Sequence, residues 1–426
     1  MEKVDVVCPF CGCLCDDLVV TVDGGHVTDI KNGCVVSRSK FMNHGKHRVS
    51  SATAHNEKKN IQEAVDAAIK ILSHSKRPLI YGLSSTECGA ISKAIEIAEV
   101  TGGVVDNTAS VCHGPTILAL QQVGESKASL GEIMNRADMV VFWGANPTEA
   151  HLRHITRYSV MPKGMYVEGR KARKVVVVDV RKTRTARMAD KFIQIQPNGD
   201  YEVLQTMRAL VRGEEIDVDE VAGIPIDELK ALVTEMSEAK FGAVFFGLGL
   251  TQSEGRHMNI DAAVGLVSEM NRKTKFVLTP MRGHYNVAGA NTVFTWQTGH
   301  PYAVDFSRGY PRYNPGEFTA VDLLASGEVD AALIIASDPA ATFPVDAAKH
   351  LAKIPVVTLE QKKTPTTMLS EVVIPVATAG IEADGTAYRM DGVALRLSKL
   401  VEPPEGVFSD EHILDLILNG LKEAAK

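Results

Sequence analysis

The run Cys8-Pro9-Phe10-Cys11-Gly12-Cys13-Leu14-Cys15-Asp16-Asp17, answered by Cys34 after a gap of eighteen residues, decides how the rest of the chain is read. Four thiols at these spacings suit a soft metal or an iron–sulfur cluster. Cys13 lies inside the run, so spacing alone leaves the third ligand open between Cys13 and Cys15. Tetrahedral zinc is the alternative, although paired Cys-x-x-Cys half-sites are its usual mark. A disulfide set fits less well. Seven cysteines is an odd number, and the opening Met1-Glu2-Lys3-Val4-Asp5-Val6-Val7 has no signal-peptide character. The expected compartment is therefore a reducing cytoplasm. Further on, Ser110-Val111-Cys112-His113-Gly114-Pro115 sets a lone thiol beside an imidazole. A thiol cluster followed by such a pair points to redox chemistry.

Composition sets the outer bounds. With 426 residues, 45% of them hydrophobic, the chain can bury a large core and has length for two to four domains. The net charge of −6 and the lack of a basic, aromatic-interleaved stripe argue against nucleic-acid binding. The densest basic run, Arg170 to Lys174, reads as a solvated loop. Apolar runs such as Met139–Trp143 and Ala331–Ile335 fall far short of the roughly twenty residues of a membrane span.

Short β-branched runs alternate with helical patterns, as in a parallel sheet with crossover helices, so the fold class is α/β. Strands are expected at 79–82, 139–143, 175–180, 243–246, 276–279, 332–336 and 356–359. A helix with apolar positions Ala90, Ala94, Ile95 and Ala98 should end at Gly102-Gly103, and another should start at a Ser409 cap. No internal repeat stands out. Ligands of open α/β sheets gather at the carboxyl ends of strands. The loops to watch are therefore Gly144-Ala145-Asn146-Pro147, Asp179 with Arg181 to Arg184, Gly247-Leu248-Gly249, Arg282-Gly283-His284 and Ser337-Asp338-Pro339.

Taken together, these strings resemble the molybdopterin oxidoreductase superfamily, and within it the redox subunits of tungsten or molybdenum formylmethanofuran dehydrogenases. The resemblance spans nearly the whole chain. It implies a multidomain α/β fold like the first three domains of formate dehydrogenases, with a small amino-terminal iron–sulfur domain and without the carboxyl-terminal β-barrel domain. The implied domains are 1–50 for the cluster, 51–107 with 283–426 as a discontinuous α/β domain, and 108–282 as a Rossmann-like pterin-dinucleotide domain.

By the same resemblance, Cys8, Cys11, Cys15 and Cys34 ligate a 4Fe-4S cluster, and Lys40 sits between cluster and pterin. Cys112 ligates tungsten or molybdenum, His113 handles a proton, and Arg282 faces the substrate, as suits an anionic carboxylate that a guanidinium can grip with two hydrogen bonds. Gly144, Asn146, Asp179, Asp200, Gly247 and Gly249 belong to loops that hold two molybdopterin guanine dinucleotides. Asp179 and Asp200 suit guanine, whose amine and ring nitrogen both donate to a carboxylate. Asp384 departs from the superfamily pattern near the end of the chain and carries no role. The implied activity is reversible reduction of carbon dioxide to formate. The implied partners are a small β-barrel subunit completing the pterin site, an amidohydrolase-like formyl-transfer subunit and ferredoxin-type electron carriers.

Overall fold

The computed structural model describes residues 1–425. It divides into two compact units, one of Met1–Val111, His284–Arg389 and Ala394–Lys426, the other of Cys112–Gly283 and Met390–Val393.

The first unit begins with an antiparallel three-stranded sheet, Glu2–Val6, Leu18–Asp23 and His26–Lys31, whose first connection is the cysteine run. The helix Val35–Met42 follows, with Cys34 at its N-cap. Most of the unit is a nine-stranded sheet. Its parallel centre runs in the order Val104–Asn107, Pro78–Gly82, Ala331–Ile335, Val356–Glu360, Val372–Pro375. Every residue of Pro78–Gly82 and Ala331–Ile335 is buried, as strands covered on both faces require. Helices Ile61–His74, Cys88–Thr101 and Asp410–Ala424 share one apolar core with them. Cys88–Thr101 stops at Gly102, which takes the left-handed φ of 62°. Ser409 caps Asp410–Ala424 by accepting from the His412 N–H.

The second unit is a five-stranded parallel sheet in the order Lys191–Gln194, Lys174–Asp179, Met139–Trp143, Phe241–Phe246, Lys275–Pro280. Chain order runs outward in opposite directions from the pair Met139–Trp143 and Phe241–Phe246. That reversal opens a crevice at their carboxyl ends. In the first unit the corresponding reversal lies between Pro78–Gly82 and Ala331–Ile335. The expected strands are all present, with ends shifted by one or two residues.

Two expectations need correction. The run Arg170 to Lys174 is not simply a solvated loop: Arg173 is buried and donates to the carbonyls of Ala137, Val160, Pro162 and Met134. The chain also does carry an internal repeat, in the loops around Asn146 and Asp338. Among the described residues no helix is long and apolar enough to cross a membrane.

Candidate active site

In the second unit, Val141 and Phe142 lead into Gly144-Ala145-Asn146-Pro147, and Phe245 and Phe246 lead into Gly247-Leu248-Gly249. These two loops flank the crevice, and they touch backbone to backbone. A Cβ on Gly249 would lie 2.6 Å from Gly144 Cα, and one on Gly247 would lie 2.7 Å from the Gly144 carbonyl oxygen. Gly144 also has a φ of +52°. The glycines are thus required by each other, whatever else approaches them.

Asn146 stands where the chain turns into the short helix Pro147–Ala150. Its Oδ1 accepts from Thr148 Oγ1 at 2.8 Å and Thr185 Oγ1 at 2.5 Å. Its Nδ2 is buried with no hydrogen-bond partner, so a donor is held ready for an acceptor. Asp179 ends its strand half-buried, and burial raises its pKa. Asp200 is buried, also with a pKa raised by burial. Its Oδ1 accepts from Trp143 Nε1 at 2.8 Å, and Ser253 bonds to the same carboxylate. Asp200 therefore already has a structural task in the bare protein.

Cys112, His113 and Arg282 come together in the same unit. Thr251 Oγ1 and Gln252 Nε2 both donate to the Cys112 carbonyl at 3.2 Å, fixing the start of the segment. Burial pushes the Cys112 thiol up to about 11, and the nearby Arg282 charge pulls the other way. His113 is fully buried, and its Nδ1 meets Thr116 Oγ1 at 3.1 Å. Its Nε2 is buried as well. Burial, with the Arg282 charge adding to it and a hydrogen bond to the Met281 backbone opposing it, depresses His113 to about 3. Arg282 is 9% exposed, and burial lowers its pKa too.

The residue that delivers this segment was not singled out from sequence. Asp106, fully buried at the end of Val104–Asn107, accepts from Asn107 N, Ala303 N, Ser110 Oγ and Ala320 N at 2.8 to 3.1 Å. It therefore ties Ser110, two residues before Cys112, to the sheet. A polar pair closing an apolar strand was its only signal.

In the first unit, Cys11, Cys15 and Cys34 all act electrostatically on Cys8, whose thiol is raised mainly by burial. Cys13 is buried in the same group, within electrostatic reach of Cys8, Cys11 and Cys15. Its S–H bonds to Cys11, and that bond, despite burial, brings Cys11 down to about 7. Cys34 Sγ accepts from Ser37 N at 3.3 Å. Lys40 lies 5.1 Å from the centre of the Phe10 ring, and its charge acts on Cys11. Among the described residues no three His, Cys, Asp or Glu side chains are grouped to hold a single metal ion.

The first unit also repeats the Asn146 loop. After Ala331–Ile335 comes Ala336-Ser337-Asp338-Pro339, and Asp338 has φ −124° and ψ 68° against −123° and 72° for Asn146. Thr366 Oγ1 donates to Asp338 Oδ1 at 2.6 Å, as Thr185 does to Asn146. Ala340 N donates to Thr366 Oγ1 at 3.1 Å, as Thr148 N does to Thr185 Oγ1 at 3.4 Å. The sequence pattern is shared as well: Asp179, Thr183 and Thr185 match Glu360, Thr364 and Thr366 in type and spacing.

The sequence model of the molybdopterin oxidoreductase family matches residues 60–417. The chain is 49% identical to a subunit of the tungsten-containing formylmethanofuran dehydrogenase 2 of Methanocaldococcus jannaschii, over 99% of this chain and 100% of that protein. It is 47% identical to the subunit of the same name from Methanococcus maripaludis, over 98% of each. Among solved structures it resembles a chain of the formyltransferase/hydrolase complex of Methylorubrum extorquens, crystallised with methylofuran. The TM-score is 0.71 at 22% identity, covering 88% of this chain and 99% of that one.

Proposed function

The chain belongs to the molybdopterin oxidoreductase family, and from that premise we propose that it is the catalytic redox subunit of a formylmethanofuran dehydrogenase, interconverting carbon dioxide and formate. The observation that carries this reading is the convergence of a half-buried thiol, a buried imidazole and a buried guanidinium at Cys112, His113 and Arg282.

When bound, a tungsten or molybdenum pterin supplies the two-electron step between carbon dioxide and formate. The chain's own groups do the rest. Cys112 would hold the metal as a thiolate, since ligation removes the proton that burial otherwise keeps on the sulfur. Arg282 would grip the carboxylate and offset its charge in a poorly hydrated site. His113, buried beside Cys112 and bonded through Nδ1 to Thr116 Oγ1, would handle a proton next to the substrate. Asn146 Nδ2 fits an anionic cofactor group. The matching loop around Asp338 supports a second dinucleotide, and Asp179 and Asp200 would serve guanine. Lys40 would lie between cluster and pterin.

A 4Fe-4S cluster on Cys8, Cys11, Cys15 and Cys34 is supported by their spacing and by the electrostatic reach of Cys11, Cys15 and Cys34 on Cys8. Cys13, bonded to Cys11, is left outside the set. Ferredoxin-type subunits would deliver electrons to it, a small β-barrel subunit would complete the pterin site, and an amidohydrolase-like subunit would transfer the formyl group.

The test is anaerobic purification of the native complex, with metal and pterin analysis and formate oxidation followed with a viologen dye. Cys112→Ala should abolish turnover and alter the metal's electron paramagnetic resonance spectrum. Full activity in that variant would refute the reading.

A further inference from the structure

Arg282 is held by its main chain on three sides. The preceding Met281 N–H donates to the Phe246 carbonyl at 2.8 Å, and the Arg282 N–H donates to the Pro280 carbonyl at 3.2 Å. The third tie comes from a residue with no role so far. His151 Nε2 lies 2.8 Å from the Arg282 carbonyl oxygen. A carbonyl only accepts, so Nε2 carries the proton. His151 is 3% exposed, and burial lowers its pKa, consistent with a neutral ring in this tautomer.

His151 is the residue immediately after the helix Pro147–Ala150, and its own N–H donates to the Pro147 carbonyl at 2.9 Å. Four residues upstream of it, that helix starts at Pro147 behind Asn146, whose orphan Nδ2 is the candidate cofactor contact. One rigid turn therefore has the cofactor loop at one end and, through an imidazole, the backbone of the substrate arginine at the other.

We propose that His151 is a positioning residue that fixes Arg282 against the Gly144–His151 loop, so that the guanidinium meets the formate carboxylate at a distance set from the loop. The inference rests on the reading of Arg282 as the carboxylate grip. An Arg side chain swings on four torsions, and only a fixed backbone limits where its fork arrives. Removing the donor also leaves the Arg282 carbonyl buried and unsatisfied, which shifts the peptide itself.

The test uses the purified complex and compares His151→Ala, His151→Gln and Arg282→Gln. Gln can present its amide N–H where the imidazole Nε2–H stood. Binding of formate, and of azide as an anion of similar size and charge, is measured by calorimetry alongside tungsten and pterin content. His151→Ala should weaken both anions by roughly fivefold or more, the loss of one buried hydrogen bond. It should raise KM more than it lowers kcat, with metal content unchanged, and His151→Gln should recover most of the affinity. If Arg282→Gln weakens anion binding and His151→Ala does not, the positioning role is wrong and the arginine reading stands. If Arg282→Gln leaves anion binding intact, the grip itself is wrong. If His151→Ala loses the metal, the residue serves the fold or the cofactor, and the inference is overturned.

Discussion

Gly249→Ala puts one methyl group into the tightest part of the second unit. The new Cβ would sit 2.6 Å from Gly144 Cα, 2.9 Å from the Gly144 oxygen and 3.1 Å from its carbonyl carbon. Carbon atoms rest at about 3.5 to 4.0 Å, so the two loops must part by about 1 Å. All three opposing atoms are backbone, and no side chain can rotate away. Overpacking of this kind costs about 1 to 3 kcal/mol. For a unit of about 170 residues, that lowers Tm by roughly 2 to 12 °C. Gly131→Ala is the control, because its Cβ would meet only Ser129 Oγ at 3.7 Å, inside the helix Leu130–Arg136. It should be neutral or stabilising by up to about 1 kcal/mol. Differential scanning calorimetry with tungsten and pterin analysis reads both effects. A Gly249→Ala protein that melts with wild type and keeps its metal would refute the claim that the two loops are jammed together. Metal loss without a change in Tm would mean that the glycine serves the approach of cofactor, with loop packing incidental.

Three further outcomes follow from the same geometry. His154 is fully buried with its Nδ1 3.1 Å from Ser159 Oγ, and burial lowers it to about 3. The unfolded ring titrates near 6.5, so the stability this depression gives is complete above that pH and is lost as pH falls towards 3. At about 1.4 kcal/mol per pH unit, His154→Gln should remove roughly 2 kcal/mol of the loss seen between pH 6.5 and pH 5 in urea titrations. Arg48 donates to both oxygens of Glu382 at 2.7 Å, with the two side chains 9% and 2% exposed. Arg48→Met takes the guanidinium from a buried carboxylate that keeps the Thr378 N–H at 2.8 Å and His44 Nε2 at 3.8 Å, and should destabilise the first unit by about 3 kcal/mol, measured by chemical denaturation, whereas an effect below about 1 kcal/mol would show the pair to be hydrated. Cys15→Ala should cost the complex its cluster iron and Cys13→Ala should not, and reversed iron contents would exchange the two assignments.

The α/β class and the strand positions were legible because parallel strands covered on both faces need unbroken apolar runs, and 139–143 and 331–335 supply them. The cysteine run and the Cys112-His113 pair stood out as candidates because thiols so spaced have few other uses. Three things were not legible. The choice between Cys13 and Cys15 depends on which sulfur turns towards a cluster, and spacing cannot say, because both side chains are buried in a loop where the Leu14 N–H returns to the Cys11 carbonyl and the Cys8 N–H to the Cys15 carbonyl. Asp106 looked like any polar residue after a strand, since its four donors come from segments up to 214 residues away. The internal repeat was hidden by unequal spacing: Asn146 and Thr185 are 39 residues apart, Asp338 and Thr366 only 28.

That repeat also constrains what the two loops can hold. At Asn146 and Asp338 the φ and ψ nearly coincide, and each side chain is pinned by a threonine hydroxyl on Oδ1; Asn146 Oδ1 also accepts from Thr148 Oγ1 where the other loop has Ala340, and Asp338 Oδ1 also accepts from Thr366 N. Asn146 offers Nδ2, a donor, and the atom is buried without a partner. Asp338 has an oxygen in the same place and can only accept when ionised. An anionic group such as a phosphate oxygen suits the first loop and would be repelled by the second, which instead suits an N–H or O–H. The two units thus share one folding device at their strand ends but offer different atoms there, an amide donor at Asn146 and a carboxylate acceptor at Asp338.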